Sequence, residues 1–306
     1  MMTALKASLL IPTYNGGERW RQVLAAIDEQ QYPFYQKIIV DSGSADHTID
    51  LAVTHGFRVI TIDQKEFNHG GTRQLLAERA TGADLLIFLT QDAIPASPDS
   101  IQKLLEAFHD PVVGLSYGRQ LPHEHAKAME AHLRLYNYQE QSQLKTFEDK
   151  DQLGFKVFFC SNSFAAYRKS ALFAVGGFPS DSIMGEDALT AARMLLHGYK
   201  IAYRADATVR HSHSYSFSED FRRYFDTGVF HSQNPWLTDN FGEPSGEGLR
   251  YVRSELSFML KNHVMGLACS FFSLLGKWLG YKAGKHYYRI PLKLRRKLSM
   301  HASYWR

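Results

Sequence analysis

Leu85-Leu86-Ile87-Phe88-Leu89-Thr90-Gln91-Asp92 is the stretch on which the reading of the fold turns. Five apolar residues in a row, rich in branched side chains, predict a strand buried on both faces. The run stops at Thr90-Gln91-Asp92, and Pro95 and Pro98 forbid its continuation. A carboxylate is thereby left at the carboxyl end of a central strand, the edge at which open parallel α/β sheets bind their ligands. There it can hold a divalent cation, and the cation a diphosphate. An Asp in that place could equally just cap the next helix.

Upstream, apolar runs at 7–11, 37–40 and 57–62 alternate with helical spacing over 17–31, 46–55 and 71–80. Such alternation predicts βαβ units and a parallel sheet. Downstream, the pattern predicts a helix over 98–108, a strand over 112–117 and a long polar amphipathic helix over 124–144. A loop follows at Ser161-Asn162-Ser163, then a turn at 176–179 and a helix over 186–197. Short strands at 200–203 and 208–210, a helix over 218–231 and a Gly/Pro/acidic loop over 239–248 complete the series. There is no internal repeat and no linker long enough to separate two domains.

The chain has 306 residues and a net charge of +4, which hides an asymmetry. Residues 256–306 carry ten Lys or Arg and no Asp or Glu, leaving 25 basic against 31 acidic residues elsewhere, a net of −6. A global basic patch for nucleic acid is excluded, and a tail that seeks an anionic surface is expected. Two cysteines far apart argue against a disulfide scaffold or a zinc cluster and fit a reducing compartment. The N-terminus runs straight into the first strand without a signal-peptide layout. In the tail, residues 264–276 are apolar but shorter than the roughly 20 residues a spanning helix needs. Trp278, Tyr281, Tyr287 and Tyr288 follow among cations, a mixture suited to the lipid headgroup level or to a helical pair packed on the catalytic part.

Asp41, Asp63 and Asp92 each follow a strand, so a parallel sheet would bring all three to one crevice, although each is also an ordinary turn residue. Glu66-Phe67-Asn68-His69-Gly70-Gly71-Thr72-Arg73 opens a helix; its glycines would let backbone N–H groups approach a phosphate, with Arg73 adding a charge. Gly185-Glu186-Asp187 opens another, where an acid stays ionised and can accept a proton from a hydroxyl. His211-Ser212-His213 places two rings on one face of an extended segment, able to complete a metal site begun by Asp92.

Residues 11–15 (Ile-Pro-Thr-Tyr-Asn), 40–48 (Val-Asp-Ser-Gly-Ser-Ala-Asp-His-Thr), Gly176-Gly177-Phe178, Gly185-Glu186-Asp187 and Val209-Arg210-His211 occur in one order. As a set, over about residues 7–230, they resemble an inverting family-2 glycosyltransferase of the GT-A fold. The 66–73 and 88–92 stretches are similar to the bacterial rhamnosyltransferases of O-antigen and related polysaccharides. The resemblance implies a GT-A, Rossmann-like mixed and mainly parallel sheet flanked by helices. It implies a catalytic domain over 1–235, with a nucleotide-sugar half to about 118 and an acceptor half from 119, and a basic helical membrane-associating extension over 236–306.

The resemblance also implies roles. Pro12, Thr13, Tyr14, Asp41 and Asp63 would line the nucleotide, and Asn68, His69, Gly70, Arg73, Gln91 and Asp92 the rest of the donor. Asp187 would be the catalytic base, with Glu186 and Asn162 touching the acceptor. Mg²⁺ or Mn²⁺ would sit on Asp92 and His211, with His213 as a fallback; Thr90 stands where the family has the first Asp of its Asp-x-Asp. The donor would be dTDP-L-rhamnose and the acceptor a polyprenyl-diphosphate-linked saccharide, at the cytoplasmic face of the bacterial inner membrane, with residues 215–223 as a lid. Another donor such as a UDP-hexose, or a non-catalytic sugar-nucleotide-binding subunit, is the alternative; the subunit should lack the base or a metal ligand, and this chain keeps both. A nucleotidyltransferase would need a Gly-rich triphosphate loop after the first strand, and Pro12-Thr13-Tyr14-Asn15 is not one.

Overall fold

The structure, a computed structural model, describes residues 5–243 and 246–305. Residues 1–4, on which part of the N-terminal expectation rests, and Pro244 and Ser245, within the expected 239–248 loop, lie outside the described residues.

Nine strands form one mixed sheet: β1 (Ala7–Thr13), β2 (Gln36–Asp41), β3 (Arg58–Thr61), β4 (Leu85–Leu89), β5 (Ile94–Pro95), β6 (Val113–Leu121), β7 (Gln143–Lys145), β8 (Phe164–Arg168) and β9 (Lys200–Arg210). Their order is β3-β2-β1-β4-β8-β6-β9-β5, with β7 paired to β9. The first four are parallel, joined by crossovers of the βαβ kind through α1 (Gly17–Asp28), α2 (Thr48–Thr54) and α3 (His69–Arg79). β8 runs against both β4 and β6, and β9 is parallel to β6. The carboxyl ends of β1, β2, β3, β4, β6 and β9 therefore share one edge, and the loop entering β8 meets them there.

β4 is buried along its whole length, as its unbroken apolar run requires. On one face Leu9, Ile11 and Ile87 pack on Trp20, Val23 and Leu24 of α1 and on α4 (Ser100–Leu105). On the other, Leu10, Leu86 and Phe88 meet Leu76 of α3, α7 (Lys169–Ala174) and Leu189 of α8 (Glu186–Leu196).

Three expectations are corrected. The long helix over 124–144 is a ten-residue helix, α5 (Ala128–Asn137), followed by edge strand β7. The chain leaves the helix because Tyr138 turns into the core and Lys145 is drawn in, its ammonium donating to Tyr117 Oη (2.8 Å) and to the Lys156 and Phe159 carbonyls. The two short strands at 200–210 are one strand, β9; its register against β6 jumps from Arg204 to Thr208, and that bulge broke the alternation. The 239–248 loop is shorter, since α10 (Pro235–Phe241) enters it and α11 (Glu247–Asn262) leaves it, with α6 (Lys150–Leu153) packed below.

Past β9 the chain is helical: α9 (Phe217–Gln233), α10, α11, α12 (Leu267–Lys285) and α13 (Leu292–Leu298). α12 lies on α9 through a row of glycines. A Cβ on Gly280 would stand 2.2 Å from the Phe221 carbonyl oxygen, and one on Gly284 2.0 Å from that of Phe225. Tyr281 and Tyr287, expected at lipid headgroups, face inward instead: Tyr281 Oη meets His231 Nδ1 at 3.0 Å, and Tyr287 packs on Trp305.

Candidate active site

The shared sheet edge gathers the metal-type residues. Asp92 follows β4, and His211 and His213 follow β9. Asp92 Oδ2 is 3.4 Å from His211 Nε2 and 3.3 Å from His213 Nε2, and the two ring nitrogens are 3.1 Å apart. Sequence reading held His213 in reserve; the structure brings all three to one point, within 4.8 Å of one another.

The His211 tautomer follows from its neighbours. Arg134 can only donate, and its Nη1 donates to Gln120 Oε1 at 2.8 Å. That oxygen must then accept from His211 Nδ1, 2.9 Å away. The lone pair of His211 Nε2 is left facing Asp92 and His213. A neutral His213 with its proton on Nε2 can donate to Asp92 or to that lone pair. Burial works against the Asp92 charge, but His211, foremost among its neighbours, holds the carboxyl below the usual range. A divalent cation held by the three atoms is the other way to satisfy them, and the N₂O donor set suits one. Gln120 and Arg134 lie inside elements without any motif, so no sequence signal marked them.

A second group surrounds α8. Gly185 takes φ +72°, and this left-handed turn starts the helix with Glu186 and Asp187 in its first turn. Asp187 Oδ2 accepts from the Asn162 N–H (3.1 Å) and Oδ1 from the Ala188 N–H (2.8 Å). Burial first, and then the Glu186 charge, push Asp187 up to about 6. Desolvation outweighs those N–H groups, so the carboxylate is more basic than an ordinary Asp while still ionised at neutral pH.

Glu186 and Asn162, expected to touch an acceptor, are buried behind Asp187. Glu186 pairs with Arg73 (3.1 Å) and accepts from Asn162 Nδ2 (3.2 Å), while Tyr167 Oη donates to Asn162 Oδ1 (2.7 Å). Burial opposes the Glu186 charge, but Arg73 and then His69 hold its carboxyl below the ordinary value. These residues hold the start of α8 and with it the Asp187 carboxylate.

The start of α3 is not an open phosphate cradle. Asn68 caps it by accepting from the Gly71 N–H, and a Cβ on Gly70 would meet the Pro179 carbonyl oxygen at 1.7 Å. The glycines let the helix pack on the 176–179 turn, and Arg73 is spent on Glu186 and the His69 carbonyl. The His69 ring packs on Phe67 and on His301 near the end of the described chain (centroids 5.1 Å apart).

On the nucleotide side, Asp41 is fully buried and both its oxygens are engaged, by Thr13 Oγ1, the Gly43 and Ser44 N–H groups and Ser44 Oγ. It shapes the loop after β2 and does not face the cleft. Pro12 sits in β1 opposite Val40. Gln91 clamps Tyr14, its Oε1 accepting from the Tyr14 N–H (2.8 Å) and its Nε2 donating to the Tyr14 carbonyl (2.9 Å). The Tyr14 ring is left exposed at the edge, and Asp63 is exposed beyond β3, closing its own turn through the Lys65 N–H.

A cavity of about 1260 Å³ opens in front of Asp187, lined among others by Tyr215, Arg223, Arg250 and Lys277. Arg223 Nη1 lies 3.5 Å from Tyr215 Oη and its guanidinium over that ring, while the ring packs beside His213. Arg223 makes no ion pair among the described residues. The expected 215–223 lid is largely helical: Ser216 and Glu219 form a capping box and α9 begins at Phe217.

The family profile described as "Glycosyl transferase family 2" matches residues 8–175. The chain is 47% identical to O-antigen chain rhamnosyltransferase RfbN of Salmonella typhimurium over 98% of its own length and 96% of that protein's. It is 46% identical to O-antigen chain rhamnosyltransferase WbaN of Salmonella anatum, over 97% and 95%. The fold is similar to that of the mannosyltransferase PcManGT from Pyrobaculum calidifontis, solved in complex with GDP-Man and Mn²⁺. That match has a TM-score of 0.62 at 16% identity, covering 92% of this chain and 85% of that one.

Proposed function

The chain belongs to glycosyl transferase family 2 and is a glycosyltransferase of GT-A fold, and from that premise we propose that it transfers L-rhamnose from dTDP-L-rhamnose to a saccharide carried on polyprenyl diphosphate. The product is a unit of a bacterial O-antigen-like surface polysaccharide. The observation that carries the reading is the identity to two O-antigen rhamnosyltransferases along nearly the whole chain, helical extension included.

Residues 1–235 are the catalytic unit, the nucleotide-sugar half ending near 118, and 236–306 the extension that meets an anionic membrane surface at the cytoplasmic face of the inner membrane. Asp187 accepts the proton of the acceptor hydroxyl as that oxygen attacks the anomeric carbon from the face opposite the diphosphate, so the centre inverts. Asn162, Glu186 and Arg73 keep its carboxylate in place. Asp92, His211 and His213 would hold Mg²⁺ or Mn²⁺, which when bound offsets charge on the departing diphosphate. Arg223, which makes no ion pair among the described residues and lines the Asp187 cavity, takes the charge-neutralising role expected of Arg73. Thr13, Tyr14 and the loop shaped by Asp41 receive the nucleotide.

The test is a donor panel. Purified protein is given dTDP-L-rhamnose, UDP-glucose, UDP-galactose and GDP-mannose with a lipid-linked acceptor fraction, and the linkage is analysed. Transfer from dTDP-L-rhamnose alone, with inversion, is expected; transfer from a UDP-hexose instead would replace the donor and keep the mechanism.

A further inference from the structure

Helix α12 is inside out. The residues it buries are Ser270, Ser273, Gly276, Lys277, Gly280 and Gly284, none of them a large apolar side chain. The residues it turns outward include Phe271, 61% exposed, with Phe272, Trp278 and Leu279. A helix on a water-facing surface does the reverse. Its partner α11 buries Glu255 completely beside Met259, while Leu249, Leu256 and Leu260 are exposed. Between them, the turn carries Val264 and Met265, the latter 91% exposed.

The inner face is held by polar contacts. Glu255 Oε1 accepts from Ser270 Oγ at 2.6 Å, Lys277 Nζ stands 3.8 Å from the same carboxylate, and Ser273 Oγ donates to Asp220 of α9. Helices joined through glycines and buried hydroxyls, with aromatic side chains turned out, follow the packing rule of helices in lipid, where burial of apolar surface against protein gives no advantage. The segment Val264–Lys285 has the length and mean hydropathy, 1.2, of a crossing helix. Its glycine face is closed by α9, which leaves the aromatic face to meet the lipid.

Resting on the membrane-surface reading above, we propose that the outward face of the α11–α12 pair is submerged among the acyl chains of an anionic bilayer, the helices lying along the membrane plane. The charges name the occupant. Residues 256–306 hold ten Lys or Arg and no acid, so a second copy docked face to face would set like charges together, whereas anionic headgroups neutralise them. Lys261, Lys282 and Lys285 lie exposed around the apolar residues, placed for their stems to follow the apolar surface and their ammonium groups to reach headgroups. Lys277, which lines the Asp187 cavity, is followed directly by outward-facing Trp278. The wall of the cavity is thus the back of the submerged helix, and an acceptor anchored in the same bilayer has a short path to Asp187.

The experiment uses the full chain with phosphatidylethanolamine–phosphatidylglycerol vesicles whose acyl chains are brominated. Trp20 and Trp305 are buried and Trp236 is half-buried, so quenching that disappears in Trp278→Phe reports the outward face. Quenching of Trp278 is expected, together with retention on vesicles at about 0.5 M salt, where exposed charges are screened. The paired variant Phe271→Asp/Phe272→Asp, both on exposed positions, should remain folded by circular dichroism and lose quenching and salt-resistant binding at least tenfold. Binding fully reversed by salt without quenching would overturn submersion and leave surface adsorption. A concentration-dependent dimer abolished by the Phe variants, with no vesicle binding, would make the face a protein interface. Failure of rhamnosyl transfer in the donor panel, with quenching intact, would remove the reaction and leave the insertion standing.

Discussion

Burial and the neighbouring Glu186 push the Asp187 carboxyl up to about 6 from its ordinary 3.8. A raised folded-state pKa means that stability is fully present below the unfolded value and falls as pH rises through the folded one. The ionised base that the reaction needs is therefore a destabilising charge above about pH 6. Asp187→Asn is expected to lower turnover on the order of a hundredfold to ten-thousandfold while leaving donor affinity near normal. The same variant should melt at a higher temperature than the parent at pH 8, with the difference vanishing near pH 4. Initial rates and thermal melts across that pH range check both; normal turnover in folded Asp187→Asn would remove the base. Gln120 acts through His211, whose Nδ1–H it fixes. Gln120→Leu should weaken Mn²⁺ binding, read by calorimetry on the protein without donor, by roughly 10- to 100-fold. Unchanged Mn²⁺ affinity would mean that the orientation of His211 does not depend on Gln120.

At the scale of elements, the contact between α9 and α12 leaves no room for a side chain. A Cβ on Gly280 would stand 2.2 Å from backbone that cannot give way, so Gly280→Leu should destabilise the fold by about 1–3 kcal/mol or more. Gly248, with open space around it, is the control position, and Gly248→Ala should be close to neutral in urea titration. The same comparison explains what the sequence could and could not disclose. β4 was legible because five apolar residues leave a strand no other place than the centre of a sheet, and the edge carrying Asp92 followed from parallel topology. The helix start at Gly185 and the His211–His213 pair were legible because short motifs place their side chains locally. The helix expected over 124–144 was not, because Tyr138 packs on Phe159 and Tyr203 and Lys145 donates to Tyr117, partners remote in the chain. Arg73 was misjudged for the same reason: its partner, Glu186, is remote in sequence and meets it only after α3 and α8 pack together.

At the scale of the whole molecule, the segment after α13 reaches back to the start of α3, next to the Glu186–Asp187 pair. Asp226 of α9 accepts from the backbone N–H groups of Met300 (2.8 Å) and His301 (3.3 Å), which fixes the segment after α13 against the catalytic unit. His301 then lays its ring on His69, at the start of α3, one turn from the Arg73 that holds Glu186. Burial lowers His301 to about 4, so its ring is neutral at working pH and the contact is an aromatic one. A chain of packed groups thus runs from the basic extension through His301, His69, Arg73 and Glu186 to Asp187. His301→Ala should lower kcat several-fold with little change in donor KM, since the proposed nucleotide contacts, Thr13, Tyr14 and the Asp41 loop, lie at the ends of β1 and β2 and are held by Gln91 and Ser44. It should also shift the acid limb of the rate profile, because Asp187 titrates against Glu186 and Arg73, whose packing the histidines support. His301→Phe keeps a ring of similar size without the nitrogens, and restoration of both kcat and the pH limb is expected. If His301→Ala matches the parent in kcat and pH profile, the extension serves attachment alone, and the catalytic pair is held entirely by α3 and α8.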